Sequence, residues 1–241
     1  MNNAFTLTAM ALLLTAALPD AWSADAGAPV LPRDHSGKTH WEVVFDSMSR
    51  DLDEPKGPLS VGDTFEADAL YLRFHTDIGQ AASLDFDAGA LNADEADTSF
   101  YGGVGLRLLA YDSEAWRVGA HLQVHYAPGV EAERSGQGIV AGRTRLDYDL
   151  LEVDGGVTLA AKLKLADDLT VMPYVGPVFS VLNLDGDAEA SGAREGIDAS
   201  EDNVIGAMAG IALVLPEGNT LRIEARAFDS VSVSAAAGIV F

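Results

Sequence analysis

The sequence lacks cysteine and is poor in basic residues. Without cysteine it can form no disulfide, thiolate metal site or cysteine nucleophile. Lys and Arg number 15 against 37 Asp and Glu, giving a formal net charge of -22. This balance argues against nucleic acid as a partner, because phosphate binding requires a basic face. Hydrophobic residues nevertheless make up 48% of the 241 positions, which predicts a folded chain rather than a disordered one.

Long apolar runs are also scarce. The one uncharged run, residues 4–18, is shorter than the roughly 18 to 20 residues of a membrane-spanning helix. It predicts a signal peptide over residues 1–23, cleaved after Ser23, with a retained anchor as the alternative. A short periplasmic segment over 24–37 and a single domain over 38–241 would follow. Any membrane residence of that domain must be as a β-barrel.

Strict two-residue alternation runs through most of that domain. In residues 115–126, Trp116, Leu122 and Tyr126 share one face while Arg117 and His125 share the other. Ten antiparallel strands are predicted, with a range of 8 to 12. The clearer five cover 82–90, 115–126, 151–165, 221–227 and 231–241, and the weaker five cover 40–47, 64–76, 100–111, 169–182 and 203–215. Pro173 and Pro177 predict a bulge or irregular edge.

The connections alternate in length. Short turns are predicted at 77–80, 112–114, 166–168 and 216–219, and longer polar loops at 49–63, 91–98, 128–142 and 185–202. Short periplasmic turns and longer external loops are typical of an outer-membrane barrel. This favours an all-β fold consisting of a single transmembrane barrel.

The distribution of charge between the two faces separates a membrane barrel from a soluble sandwich. The apolar faces bear no charge, and Phe100, Trp116, Tyr126, Phe179 and Phe241 fall near strand ends, as interfacial aromatic girdles do. We therefore expect the polar faces to point inward. A periplasmic sandwich or soluble barrel is the alternative, with those faces outward.

The alternating strands, the segment 171–176 (VMPYVG) and the terminal Phe241 resemble a known family. They are similar to the small outer-membrane β-barrels of Gram-negative bacteria, the outer-membrane protein A-like and opacity-type superfamily. The resemblance implies an outer-membrane location, contact with membrane lipid and lipopolysaccharide, and no cofactor. It also implies an assembly signal, read by the barrel-assembly machinery, at Ala237, Ile239 and Phe241. Ten strands depart from that family's commonest eight.

The polar faces predict a charged barrel interior. Basic Arg107 and acidic Asp85 and Asp87 are expected to join a network of ion pairs, because an isolated buried charge is costly. The residues predicted to line the interior are Arg117, His121, Gln123, His125, Glu152, Asp154, Lys162, Lys164, Arg222, Glu224 and Arg226. Structural filling, with a structural or surface-interaction role, is the first interpretation. A narrow porin-like pore is the alternative.

Evidence for an active site or a metal centre is weak. His121 and His125 share a strand face but lie about 13 Å apart, which is too far for two ligands of one ion. No spacing unites a catalytic triad, so the protein is expected not to be an enzyme. A less probable barrel hydrolase would use His121, His125, Ser180 and Asp149. The acidic segment 185–187 lacks the ligand spacing of a calcium loop.

Overall fold

The computed structural model describes ten stretches of the chain, whose gaps fall mainly at connections. They are residues 40–52, 64–78, 81–94, 96–135, 143–166, 169–190, 193–201, 204–215, 218–228 and 231–240. The predicted signal peptide over residues 1–23, the predicted periplasmic segment over 24–37 and Phe241 lie outside them. None of the described residues forms a helix long and apolar enough to cross a membrane.

Twelve antiparallel strands form one sheet. They are β1 (His40–Asp51), β2 (Thr64–Asp77), β3 (Ala82–Ala93), β4 (Ser99–Asp112), β5 (Trp116–Ser135), β6 (Arg143–Ala161), β7 (Leu163–Ala166), β8 (Leu169–Ala190), β9 (Ala193–Ser200), β10 (Ile205–Val214), β11 (Thr220–Ala227) and β12 (Val231–Val240). β6 and β7 pair with the same side of β8, and β9 and β10 share its other side. The twelve segments therefore occupy ten positions in the wall, as the alternation predicted.

The sheet closes on itself through β1 and β12. His40 pairs with Val240 and Ser47 with Val233, so the first and last strands meet along eight positions. We call the end that holds His40, Val240 and the β2–β3 connection the turn end. The opposite end, where the β5–β6 and β8–β9 connections lie, is the hairpin end.

Large apolar side chains cover the outside of the closed wall. Trp116 and Tyr126 are 50% and 43% exposed at the two ends of one strand face, and Phe100 and Phe179 are also exposed. The ten residue steps between Trp116 and Tyr126 cover about 33 Å of strand, or about 25 Å along the axis at a tilt near 40°. This matches the apolar band of transmembrane barrels. The chain is a closed transmembrane β-barrel.

Three strands continue beyond this band at the hairpin end. β5, β6 and β8 have 20, 19 and 22 residues, and β9 adds a fourth strand beside β8. Much of the predicted loops 128–142 and 185–202 is therefore strand, which corrects the sequence interpretation. The loop prediction rested on polar composition, but most residues on one face of these projections are buried and apolar, as in a half-buried sheet.

A β-bulge in β5 decides which side chains of its projecting part face inward. The register with β6 shifts between Ala127 and Val130, and Gly129 adopts a left-handed φ of 58°. Such a bulge inserts one extra residue, and glycine accepts the positive φ without strain. Without the insertion Glu131 would point inward. With it, Val130 and Ala132 are buried and Glu131 is exposed.

The carboxylate of Asp149 holds this bulge from the neighbouring strand. Its Oδ1 accepts a hydrogen bond from the Gly129 N–H at 2.9 Å, and its Oδ2 accepts one from the Tyr126 hydroxyl at 2.5 Å. Asp149 thus joins the bulge to the aromatic residue at the edge of the apolar band.

An apolar cluster fills the interior at the hairpin end. Inward-facing residues of six strands meet there, all 6% exposed or less, and we call this set the hairpin-end plug. Its main members are Leu52, Phe65, Ala67, Leu91, Ala93, Val130, Ala132, Leu146, Tyr148, Leu150, Leu182, Leu184, Ala188, Ile197 and Ala199. The cluster brings together inward-facing side chains from strands on several sides of the barrel.

The two prolines of β8 leave its register with β10 intact. Pro173 pairs with Ile211 and Pro177 with Ala207 in one unbroken register, so no bulge lies at these prolines. The ladder with β6 is interrupted at Val157 and Thr158, opposite Pro177 and Gly176, so the alternative prediction of an irregularity is confirmed on that side. A missing proline N–H removes ladder hydrogen bonds without requiring an inserted residue.

Candidate functional site: the charged interior

Buried charged side chains occupy the lumen between the turn end and the hairpin-end plug. Alternate residues of nearly every strand supply them, because positions two apart on a strand share one face. Among the described residues the buried charged and histidine side chains are Glu42, Asp46, Arg50, Arg73, His75, Asp85, Asp87, Arg107, Arg117, His121, His125, Glu152, Asp154, Glu201, Arg222, Glu224 and Arg226.

A group near the turn end joins five strands. Arg222 of β11 donates to both oxygens of Glu42 in β1, at 3.2 and 3.4 Å. His75 of β2 lies between Glu42 and Asp85 of β3, and Arg107 of β4 donates through Nε to Asp85 at 2.5 Å. Each carboxylate is therefore shared by one arginine and one histidine.

A second group lies at the centre of the lumen. Arg73 donates to both oxygens of Asp87, at 2.8 and 2.6 Å, and His125 lies 2.7 Å from the same carboxylate. The His125 ring stacks on Tyr101 with centroids 4.9 Å apart, and the Tyr101 hydroxyl donates to Glu152 at 3.1 Å. Bidentate arginine pairs of this kind are the most directional ion pairs in proteins.

Arg50 links the central group to Glu201 and to β12. Its guanidinium lies 3.3 Å from Glu152 and 3.3 Å from Glu201, and donates to the Ser232 hydroxyl at 2.5 Å. Its Cζ also lies 4.8 Å from the centroid of the Phe228 ring. One fully buried arginine therefore ties together residues far apart in the chain.

The remaining group lies against β6 and β11. Arg226 bonds to Asp154 at 3.0 Å and to Glu224 at 2.9 Å. Tyr174 donates to the other oxygen of Glu224 at 2.7 Å, and His121 Nε2 lies 3.4 Å from Asp154. Arg226 and Glu224 lie two positions apart on β11, and the other contacts of this group join different strands.

The structure places most of the predicted lining residues in this interior. Eight are buried there, namely His121, Gln123, His125, Glu152, Asp154, Arg222, Glu224 and Arg226. Arg117 is also buried, but it reaches to Asp112 at the turn end. Lys162 is partly exposed and pairs with Asp112 as well. Lys164 is exposed, so its assignment to the interior is wrong: it belongs to β7, whose four residues are all exposed.

Sequence reasoning missed several members of the network. Glu42, Arg50, Arg73 and Glu201 were not among the predicted residues, although each is buried. Glu42 and Arg73 alternate with outward residues in the predicted strands 40–47 and 64–76, so the two-residue alternation could have identified them. Arg50 and Glu201 fell in the predicted loops 49–63 and 185–202 and carried no such signal.

The structure does not bring together the candidate hydrolase residues. Asp149 lies on the outer surface, where it bonds to Tyr126, whereas His121, His125 and Ser180 are buried in the lumen. This set therefore cannot form one site. Within the described part of the chain, no group of three histidine or acidic side chains is arranged to hold a metal ion.

The outer face of the projecting strands is strongly acidic. Asp149, Asp185 and Asp198 are direct partners in one row across β6, β8 and β9. In the next row the negative charge of Asp187 is compensated by Arg194. Its hydrogen bond to Asp187, at 2.6 Å, lowers the pKa of that carboxyl below its usual value. Like charges directly opposite one another are destabilising, so these rows favour contact with cations or water.

No family model matches the chain, and no curated protein matches it. Among solved structures it is similar to the outer membrane protease OmpT from Escherichia coli, at 8% identity, covering 86% of this chain and 95% of that one, with a TM-score of 0.44. It is also similar to the beta domain of the Bordetella autotransporter BrkA, at 13% identity, 85% and 98% coverage and a TM-score of 0.39. A porin variant from Rh. blastica matches at 8% identity, 85% and 99% coverage and a TM-score of 0.19. These similarities assign no activity, and the outer-membrane protein A-like relationship stays a prediction.

Proposed function

We propose that this protein is an outer-membrane barrel with a structural or surface-interaction role and a closed lumen. The observation that carries the proposal is the double filling of the interior. The hairpin-end plug closes one end with apolar side chains, and the paired charges fill the lumen below it. An open pore instead requires a continuous wet path. No catalytic step and no cofactor are part of this proposal.

The apolar band and the strand ends support an outer-membrane location. We expect lipid to contact the band and lipopolysaccharide to surround the projecting hairpins. The assembly signal at Ala237, Ile239 and Phe241 stays a prediction, and its last residue lies outside the described part of the chain. Any surface interaction would use the projecting outer face, whose carboxylate rows favour a cationic partner.

The first test is reconstitution of the full chain, folded in lipid, into planar bilayers. We expect a heat-dependent shift in gel mobility, which marks a closed barrel, together with the absence of stable ion conductance. Steady conductance by the wild-type protein would contradict the closed lumen and favour the porin-like alternative.

Two variants sharpen this test. Replacing Phe65, Leu146 and Ile197 together by serine removes the middle of the plug and should create conductance in a barrel that still shows the heat shift. Arg222→Ala should lower stability without opening a path, because the plug remains. If the plug variant folds but shows no ion conductance, the plug does not control access to the lumen.

A further inference from the structure

The wall of the barrel steps down beside β9. β8 has 22 residues, whereas β11 has eight and ends at Ala227, which lies level with Ala207 of β10. β9 stands further toward the hairpin end, where it pairs with β8. Among the described residues no strand pairs with its other side, and the nearest contact there is an isolated bridge between Leu52 and Glu201, just past the end of β9. β9 is therefore an edge strand.

Backbone groups of alternate β9 residues point to this free edge. The Glu201 N–H donates to the Leu182 carbonyl of β8 at 3.0 Å, and the register between β8 and β9 runs on from there without a shift. In an antiparallel ladder successive residues bond to opposite sides, so the odd-numbered residues of β9 bond to β8. Arg194, Gly196 and Asp198 therefore direct their N–H and C=O groups to the free edge.

The side chains of these three residues give the edge a charge pattern. All three lie on the outer face and are exposed. Arg194 is bonded to Asp187 of β8, whereas Asp198 ends an acidic row and contacts no basic side chain within the described ranges. A residue of an added strand directly opposite Asp198 would lie within the distance at which opposite charges in a sheet stabilise each other.

Two nearby candidates fit this edge poorly. Antiparallel pairing continued beyond the bridge of Leu52 to Glu201 would set Pro55 opposite Asp198, and proline has no N–H to donate. Antiparallel pairing of β9 with β9 of a second copy would turn one barrel upside down relative to the other, which two barrels in one membrane cannot adopt. The geometry favours a separate polypeptide.

We propose that the free edge of β9 binds an extended strand of another polypeptide, with a basic residue opposite Asp198 and an acidic residue opposite Arg194. Antiparallel addition forms about six main-chain hydrogen bonds, because three residues each offer one donor and one acceptor. The two charge pairs fix the register. This partner rests on the surface-interaction role proposed above and does not depend on whether the lumen is closed.

The probe is a synthetic peptide with the sequence of β9 itself, residues 193–200 (AREGIDAS), blocked at both ends and labelled with a fluorophore. Aligned antiparallel about Gly196, its arginine lies opposite Asp198 and its aspartate lies opposite Arg194. Fluorescence anisotropy measures binding to the full chain folded in lipid nanodiscs. We expect saturable binding even though the peptide and the barrel are both acidic, which excludes simple charge attraction as its cause.

Two altered peptides separate the charge pairs from the main-chain ladder. A peptide with Arg194→Asp and Asp198→Arg has the same composition but sets like charges opposite each other, so it should bind at least about tenfold more weakly. The same two substitutions made in the barrel should restore binding of this altered peptide and weaken binding of the original. A peptide with Gly196→Pro keeps every charge but lacks the central N–H, and it should not bind.

Amide hydrogen exchange, followed by NMR, locates the bound strand without any substitution. The original peptide should slow exchange at Arg194, Gly196 and Asp198 of the barrel. It should leave Glu195 and Ile197 unchanged, because their N–H groups already bond to β8.

Four results would overturn this assignment. They are no saturable binding of the original peptide, equal binding of the charge-swapped peptide, equal binding of the proline peptide, and full protection of the three edge amides before any peptide is added. The last would show that the chain covers its own edge. Each leaves the absence of conductance untouched, so failure here is distinguishable from failure of the closed lumen.

Discussion

Two arginine–aspartate pairs have the same shortest distance but differ strongly in burial, and only the buried pair is bidentate. Arg73 lies 2.6 Å from Asp87 with both side chains 1% exposed or less, and Arg194 lies 2.6 Å from Asp187 with side chains 72% and 43% exposed. Replacing Arg73 by Met leaves Asp87 buried with His125 as its remaining charged contact. Removing one partner of a buried pair costs about 3–5 kcal/mol, because the other charge is left uncompensated.

The assay is urea unfolding in lipid vesicles at pH 7, with heat-dependent gel mobility confirming that the variant barrel closes. Arg73→Met should lose about 3–5 kcal/mol of the free energy of unfolding, and the double variant Arg73→Met with Asp87→Asn should recover part of that loss. Arg194→Met makes the same chemical change at the exposed pair and should leave stability unchanged within error. Equal losses for the two single variants would refute the claim that the lumen is dry.

Three smaller predictions concern the wall, and unfolding in the same vesicles measures each of them. Gly129→Ala should cost about 1 kcal/mol, because alanine is strained at a φ of 58°; an unchanged stability would show that the bulge relaxes. Gly176→Ala should cost about 1–3 kcal/mol, since its Cβ would overlap a backbone carbonyl of β6. Gly196→Ala should be tolerated, because its Cβ would lie 3.9 Å from the Gly186 carbonyl oxygen, an ordinary contact. Asp185→Asn should raise stability by about 0.5 kcal/mol by relieving repulsion from the carboxylates opposite it in β6 and β9, and a loss would mean that those carboxylates are not in contact.

Alternation predicted the ten wall positions because the two-residue period survives in any strand with two unlike faces. It could not predict how far each strand extends. In β6 the outward residues are charged up to Asp149 and apolar from Leu151 onward, while the inward residues change from Leu150 to Glu152. The adjacent pair Leu150–Leu151 marks this exchange, so the sequence does contain a signal for the membrane edge.

The same signal recurs at Ala69–Leu70 in β2 and at Val181–Leu182 in β8, where an apolar inward residue adjoins an apolar outward one. On the hairpin-end side of these doublets the outward residues are polar and the inward ones apolar, as in a water-soluble sheet. On the turn-end side the outward residues are apolar and the inward ones polar, as in the wall of a membrane barrel. Polar composition alone therefore misassigned the projecting hairpins as loops.

The ion-pair partners were a harder problem than the strands. Arg50 and Glu152 lie 102 positions apart and on strands that are not neighbours. The two-residue alternation of each strand places both side chains inside the barrel. Which side chains then pair depends on strand tilt, register and side-chain conformation together. The sequence therefore predicted the membership of much of the network and none of its cross-lumen contacts.

The plug and the ion network depend on each other physically. Apolar side chains over Arg50 and Glu201 exclude water from the hairpin end, and a low local dielectric strengthens each satisfied pair while raising the cost of each unsatisfied one. Paired charges beneath the plug, in turn, leave no unsolvated ion that would draw water through it. A charged lumen under an apolar closure is stable only when its charges balance.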